Sequence, residues 1–270
     1  MGMGKTRVRV NQSQVEGWIK KFKKIEERGD YEAFLRTQDV TSSGIKSRFP
    51  CPINPGRVYH TLSNNETYTL VQLLQDPTIV DIKEQYPETN VKKSKAFAKA
   101  LEINHPTYTW SATDAVVTWD FLCTLLSGKK RAISVKPKHL MKDRRTIEKL
   151  ILEEILAVSL GYEFIIVTDD EVKTEEIQNI FRVLRGAVLD THLKSLYTQW
   201  RNGFFELIDK SPYEPISMAI EQLCATLHIN FIESFTLMQH AFWVQDISSD
   251  PTVPLYPEYS PYVLGVQTHA

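Results

Sequence analysis

The spacing of apolar residues changes along the first 170 residues and predicts helices separated by strands. Apolar positions recur at helical spacing in residues 14–25, in the run that opens at Ser63, and between Asp143 and Gly161. Runs rich in β-branched and aromatic residues predict strands instead. These runs are residues 79–86, 116–123, 132–136 and 164–167.

The turns between these runs indicate how the elements are joined. Ser127-Gly128-Lys129-Lys130 separates two predicted strands and favours a hairpin. Residues 40–58 are polar and contain proline and glycine, so they predict an irregular surface loop. The order helix, strands, hairpin, helix and strand predicts an α/β domain over residues 1–170.

Residues 171–270 are predicted to form a second, mainly α-helical domain. Two helical runs, 216–227 and 231–239, flank a short break and are typical of a helix-turn-helix. Residues 242–244 predict a short strand after them, so a winged-helix-like domain is expected. Four prolines between residues 248 and 261 predict an extended tail.

Charge is divided unevenly between these two parts, although the whole chain carries only −1. Residues 1–170 hold 26 Lys and Arg against 21 Asp and Glu, whereas residues 171–270 hold 6 against 12. A net positive domain attracts the DNA backbone, and an acidic one suits a protein partner better. Ordinary solvated surface is an equal alternative for both.

Cysteine usage and hydropathy bear on where the protein works. Cys51, Cys123 and Cys224 are far apart and lack the spacing of a zinc site, so they are expected to be reduced thiols. No segment approaches the roughly 20 apolar residues that a membrane span needs. The start of the chain is polar, so a cytoplasmic protein without membrane contact is expected.

Candidate chemistry lies on the predicted hairpin. Side chains alternate along a strand, so Ser134 and Lys136 share a face, and Asp120 lies on the neighbouring strand. A carboxylate, strand carbonyls and a lysine could there hold a divalent cation and orient water for phosphodiester hydrolysis. Asp120 could instead lie at a sheet edge or pair with an arginine, and Lys136 could be a solvent-facing strand end.

A second carboxylate could come from Glu66, which would allow two ions in the site. Ser63-Asn64-Asn65-Glu66 before an apolar run is also a capping box, and the two roles can coexist. Glu153 and His139 are further candidates near the same cleft, with no role assigned by the pattern.

Several ordered segments resemble TnsA, the endonuclease subunit of heteromeric bacterial cut-and-paste transposases. Asp81-Ile82-Lys83-Glu84-Gln85-Tyr86-Pro87 is the most specific of them. The others are Ser42-Ser43-Gly44, Gly56-Arg57-Val58-Tyr59-His60, Leu62-Ser63-Asn64-Asn65-Glu66, Thr118-Trp119-Asp120-Phe121-Leu122, Val135-Lys136-Pro137 and Arg145-Thr146-Ile147-Glu148-Lys149-Leu150.

The resemblance implies a nuclease fold shared with type II restriction enzymes and a set of site residues. Glu66, Asp120 and Lys136 would be catalytic, and the Val135 carbonyl would join the two carboxylates in binding two Mg²⁺ ions, for which Mn²⁺ could substitute. The family usually has an acid or glutamine two residues before the lysine. Ser134 stands there in this chain and is a candidate, weaker ligand.

The family also implies partners and a division of labour. This subunit would hydrolyse the 5′ strands of double-stranded DNA at transposon ends, a TnsB-like recombinase would act on the 3′ strands, and a TnsC-like ATPase would bind the second domain. Two alternatives remain: a self-sufficient restriction or repair nuclease, and an inactive nuclease-like DNA-binding adaptor. A plain helix-turn-helix regulator would leave the polar hairpin without a purpose.

Overall fold

A computed structural model of the chain divides into two compact units, residues 1–172 and 173–270. The structure describes residues 9–40, 44–54 and 56–269. Ser42 and Ser43 of the quoted resemblance, and Pro55 of the predicted loop, lie outside the described residues. Among the described residues, no helix is long and apolar enough to cross a membrane.

The N-terminal unit combines helices with a mixed sheet, which confirms the predicted α/β class. Its helices are α1 (Gln12–Glu26), α2 (Asn64–Gln75), α3 (Val91–Ala100), α4 (Arg144–Ser159) and α5 (Asp169–Val172), with a 3₁₀ helix at Lys138–Lys142. Its strands are β1 (Ser47–Pro50), β2 (Val58–Thr61), β3 (Ile79–Pro87), β4 (Thr118–Leu125), β5 (Lys130–Lys136) and β6 (Glu163–Thr168).

The central sheet has the order β3-β4-β5-β6. β3, β4 and β5 are antiparallel, and β6 runs parallel to β5. Helix α4 connects β5 to β6, because a parallel pair needs a long crossover. The turn at residues 126–129 joins β4 and β5 as a hairpin, with Gly128 at a φ of 78°.

The prediction that residues 40–58 form an irregular loop is wrong for residues 47–50. Ser47–Pro50 is strand β1 and pairs antiparallel with β2. The pairing was hidden because the strand is only four residues long and ends in proline. Phe49 and Cys51 also pack on the core beside Tyr59, which gives this segment tertiary contacts that its polar composition did not predict.

The central sheet carries a different apolar cluster on each face. One cluster lies with α2 and the β1–β2 hairpin and contains Cys51, Tyr59, Leu70, Ile82, Phe121, Cys123, Ile133 and Val135. The other lies with α3 and α4 and contains Ala98, Val117, Trp119, Leu122, Ala132, Leu152, Leu156 and Ala157. Both faces of the sheet are therefore buried by helices, as in other α/β domains.

A buried ion pair ties the β1–β2 hairpin to strand β3. The Arg57 guanidinium donates to the Glu84 carboxylate and to the Ile82 carbonyl, and it lies over the rings of Tyr31 and Tyr59. Both side chains of the pair are almost wholly buried. Burial raises the pKa of Glu84 to about 7, although Arg57 opposes the rise.

The C-terminal unit is mainly helical. Its helices are α6 (Glu175–Val183), α7 (Thr191–Lys210), α8 (Ile216–Leu227), α9 (Phe231–Trp243) and α10 (Pro261–Leu264), with a 3₁₀ helix at Leu184–Ala187. β7 (Ile247–Ser248) pairs antiparallel with β8 (Gln267–Thr268). Trp200 lies in the core of this unit and donates its indole N–H to Ser234.

The predicted strand at residues 242–244 is wrong. Helix α9 continues through Phe242 and Trp243, because both side chains pack on the same helical core as Leu237 and Met238. His228, at a φ of 55°, ends α8, and Asn230 caps α9, so two helices joined by a short turn are present where a helix-turn-helix was predicted. The winged-helix assignment stays a prediction.

We expect Arg57→Met to destabilise the N-terminal unit by about 3–5 kcal/mol, because it leaves the Glu84 carboxylate buried without its partner. Chemical denaturation monitored by circular dichroism measures the loss. Arg131→Met is the matched control, since Arg131 pairs with the part-exposed Glu163 and such pairs contribute about 0–1 kcal/mol. Equal losses in the two variants would contradict a structural role for the buried pair.

Candidate active site

Glu66 is held in the first turn of α2. Ser63 caps this helix by accepting the Glu66 backbone N–H, and its hydroxyl donates to Glu66 Oε1 at 3.0 Å. Glu66 Oε2 accepts the backbone N–H of Leu62 at 2.8 Å. Ser63 therefore caps the helix, but the Glu66 carboxylate accepts from Leu62 and not from the Ser63 backbone N–H, so the predicted capping box is only half formed. Glu66 is 8% exposed.

Asp120 lies on β4 where the β4–β5 pairing ends. The register pairs Phe121 with Ile133, and beyond that point Asp120 Oδ2 accepts the backbone N–H of Val135 at 2.6 Å. At the end of the hairpin away from its turn, the Asp120 carboxylate therefore accepts the hydrogen bond that a backbone carbonyl accepts in the paired part of the strands. This fixes Asp120 next to the Val135 carbonyl.

Lys136, the last residue of β5, points at the same carboxylate. Its Nζ lies 3.3 Å from Asp120 Oδ2 and 3.2 Å from the Val135 carbonyl oxygen. Burial alone would lower the pKa of Lys136, but the negative charges of Asp120 and Glu153 outweigh it and raise the pKa above its ordinary value. Lys136 is therefore an ammonium ion in this arrangement.

The structure brings Glu66, Asp120, Val135 and Lys136 to one place, but it gives Ser134 a different contact. The Ser134 hydroxyl is fully buried and donates to Glu153 on α4. Burial raises the pKa of Glu153, and Lys136 opposes that rise. The remaining candidate, His139, is exposed on the 3₁₀ helix.

Gln85 is the site residue to which the sequence pattern assigned no role. Its Nε2 lies 3.2 Å from Glu66 Oε2 and 3.3 Å from Asp120 Oδ1, so the amide contacts both carboxylates. The available signal was that Glu84 and Gln85 are adjacent polar residues where the alternation of Asp81, Ile82 and Lys83 would place an apolar one. Polar residues are buried in strands only with partners.

The two carboxylates interact electrostatically. Burial, followed by the charge of Asp120, raises the pKa of Glu66 to about 8, and the hydrogen bonds from Leu62 and Ser63 oppose the rise. Like charges in a poorly hydrated place favour protonation of one partner. A cation that enters between them would relieve this repulsion.

The oxygen atoms at this place suit a hard divalent cation. Two carboxylates and the Val135 carbonyl are the ligand types that Mg²⁺ and Mn²⁺ prefer. Asp120 and that carbonyl already converge on one cationic group, the Lys136 ammonium. Among the described residues, no cluster of three or more His, Cys, Asp or Glu side chains has the spacing of a metal site.

Comparison with known proteins gives this geometry a family context. Residues 76–169 match the family model described as TnsA-like endonuclease N terminal. This segment is therefore similar to the N-terminal domain of TnsA-like endonucleases. Over 153 residues the chain is also 33% identical to the transposon Tn7 transposition protein TnsA of Escherichia coli. That alignment covers 56% of this chain and 55% of the relative, so the chain matches about half the length of that protein.

The matched range of the TnsA-like domain contains most of the candidate site. Gln85, Asp120, Val135 and Lys136 lie inside residues 76–169, and the mixed sheet fits a nuclease domain. Glu66 lies ten residues before the match begins. The resemblance stated from the sequence is confirmed for this domain.

We expect the stability of the metal-free protein to depend on pH through Glu66. The folded pKa of about 8 exceeds the ordinary 4.5, so between these pH values the folded state holds a proton that the unfolded chain has released. The free energy of unfolding therefore falls as pH rises through this window, by at most about 1.4 kcal/mol per pH unit for one proton.

Glu66→Gln should remove this contribution and make the pH dependence shallower between pH 5 and 8. Chemical denaturation in chelator-containing buffer at several pH values measures the difference from wild type. Glu163→Gln, which changes a side chain 43% exposed on β6, should leave the dependence as it is. Parallel pH profiles for wild type and Glu66→Gln would contradict the raised pKa.

Proposed function

We propose that this protein is a divalent-metal-dependent DNA endonuclease that hydrolyses the 5′ strands at transposon ends during cut-and-paste transposition. The observation that carries the proposal is the convergence of Glu66, Asp120, the Val135 carbonyl and Lys136 in and beside a TnsA-like endonuclease domain. The named relative is a transposition protein, which supports the same process for this chain.

The proposed chemistry assigns each group a separate role. Glu66 and Asp120 would hold Mg²⁺, or Mn²⁺ in its place, together with the Val135 carbonyl. The bound cation supplies charge neutralisation at the phosphate and lowers the pKa of the attacking water. Lys136, which is cationic and within reach of Asp120, would orient that water and stabilise the anionic phosphate.

Two ions are proposed, because two carboxylates on different elements can serve two positions around one phosphate. Ser134 would contribute little as a ligand, since its hydroxyl is buried against Glu153. Glu153 brings a carboxylate from α4 to the position that the family usually fills with an acid or glutamine on the strand. The two-ion count therefore rests on Glu66 and Asp120.

Double-stranded transposon-end DNA is the proposed substrate of the N-terminal unit. Residues 1–170 carry a net charge of +5, and phosphate backbones bind cationic surfaces with release of counterions. Helix α1 adds exposed lysines, Lys20, Lys21 and Lys23, on its outer face. Binding should therefore weaken as salt concentration rises.

The C-terminal unit is proposed to bind a TnsC-like ATPase, while a TnsB-like recombinase acts on the 3′ strands. Residues 171–270 carry a net charge of −6, which disfavours DNA and suits a basic protein surface. The helix-turn-helix of α8 and α9 supports a winged-helix-like assignment for this unit. The complex would act in the cytoplasm.

We expect cleavage of labelled transposon-end DNA only when Mg²⁺ or Mn²⁺, the recombinase and the ATPase are all present. Asp120→Ala should abolish cutting of the 5′ strands, because it removes a cation ligand and the partner of Lys136. The fragments from both strands are resolved on a denaturing gel. Asp114→Asn is the control, since Asp114 pairs with Lys95 and His105 instead of the site residues.

Other outcomes of this experiment favour the alternative functions. Cutting by wild type without partners would favour a self-sufficient restriction or repair nuclease. DNA binding without cutting, under every combination of partners and cations, would favour an inactive adaptor. Full activity of Asp120→Ala would overturn the assignment of the site itself.

A further inference from the structure

Gln85 has a backbone conformation that a strand residue rarely adopts. Its φ is 51°, in the left-handed region, although it lies inside β3 between residues paired with β4. Side chains other than glycine, asparagine and aspartate are uncommon in this region. Gln85 is also 2% exposed, so the conformation is held by surrounding structure.

This conformation interrupts the alternation of side chains along β3. Ile82 belongs to the apolar cluster on the α2 face of the sheet, whereas Tyr86, an even number of residues later, packs with the cluster on the α4 face. In β4 the same change occurs between Phe121 and Trp119. In both strands, the side chains therefore change from one face of the sheet to the other at Gln85 and Asp120.

At this level the amide of Gln85 lies between the two carboxylates. Its Nε2 is 3.2 Å from Glu66 Oε2 and 3.3 Å from Asp120 Oδ1. A side-chain amide nitrogen carries two hydrogens, and carboxylate oxygens accept them, so the nitrogen and not the oxygen faces the pair. One hydrogen is available for each carboxylate.

The other polar neighbours contact only one carboxylate each. Lys136 and the Val135 N–H bond to Asp120, and Leu62 and Ser63 bond to Glu66. Within the described part of the chain, the hydrogen bonds of Gln85 are the ones that join the helix-borne carboxylate to the strand-borne one.

We propose that Gln85 is a positioning residue that sets the spacing of Glu66 and Asp120 before a divalent cation binds. The amide donates to both carboxyl groups and so joins the one on α2 to the one on β4, and the left-handed backbone aims it there. This inference rests on the proposed cation site. It assigns Gln85 no contact with substrate and no step in hydrolysis.

A glycine variant separates this role from that of the backbone. Glycine adopts a φ of 51° without strain, so Gln85→Gly keeps the left-handed backbone of β3 and removes the side chain with its amide. If Gln85 mattered only for its left-handed backbone, Gln85→Gly would bind Mn²⁺ like wild type. Gln85→Leu removes the amide but keeps a side chain of similar size, in a backbone conformation that is strained for leucine.

The test measures the binding of Mn²⁺ alone to the 270-residue chain through the electron paramagnetic resonance signal of free Mn²⁺. Loss of a group that orients metal ligands typically weakens metal affinity by about 10- to 100-fold. We expect Gln85→Gly to weaken Mn²⁺ binding by this factor while circular dichroism shows the wild-type fold. Gln85→Leu should weaken it similarly if it folds.

Two further variants separate failure of the inference from failure of the proposed function. Asp120→Ala should abolish Mn²⁺ binding at the site. Lys83→Met, on the same strand, loses an ion pair with Glu26 but touches neither carboxylate, and should bind Mn²⁺ like wild type.

Wild-type Mn²⁺ affinity in a folded Gln85→Gly variant would overturn the positioning role and leave the proposed cation site standing. If wild type itself binds no Mn²⁺, or Asp120→Ala binds it equally well, the cation site and the inference both fail. Equal weakening in Lys83→Met would also overturn the inference, because the effect would then come from β3 in general.

Discussion

The close approach of two buried acidic side chains, Glu66 and Asp120, is the constraint on which the candidate site of the N-terminal unit depends. A folded chain does not hold like charges together with little water unless other groups compensate them. Here the compensation comes from Lys136, from backbone N–H groups of Leu62 and Val135, and from the amide donors between the carboxylates. The arrangement is suited to receive positive charge.

The elements around the carboxylates are fixed by a helix cap and by a buried ion pair. Helix α2 begins at the Ser63 cap, which determines where its first turn meets the sheet. The buried pair of Arg57 and Glu84 connects the β1–β2 hairpin to β3, one residue before Gln85. A segment with little regular structure of its own thus becomes part of the support for the site.

Ser134 and Glu153 show that a strand position can gain an acidic partner from another element. The strand position two residues before Lys136 usually carries an acid or a glutamine in the resembling family, and this chain has a hydroxyl there. The Glu153 carboxylate from α4 meets that hydroxyl and adds negative charge near Lys136. The charge reaches the same region of the protein along a different part of the chain.

The sequence by itself determined the N-terminal elements, because their signals are local. These signals act within a few residues: apolar periodicity, the Ser63 and Asp143 caps, and the turn at Gly128. Each helix and strand that they predicted in this unit is present. Local pattern failed where tertiary packing decides. The four-residue strand β1 forms only against β2, and residues 242–243 stay helical because the core continues beneath them.

For the site, the sequence supplied the residue types, and the resemblance to TnsA supplied the grouping of Glu66, Asp120 and Lys136. Only the tertiary structure decided what each carboxylate touches. The hydrogen bonds of Gln85 span 19 residues to Glu66 and 35 to Asp120, and they require a left-handed residue inside a strand. Neither the separation nor the backbone conformation leaves a periodic signal, because both arise from the packing of β3 between a helix and a second strand.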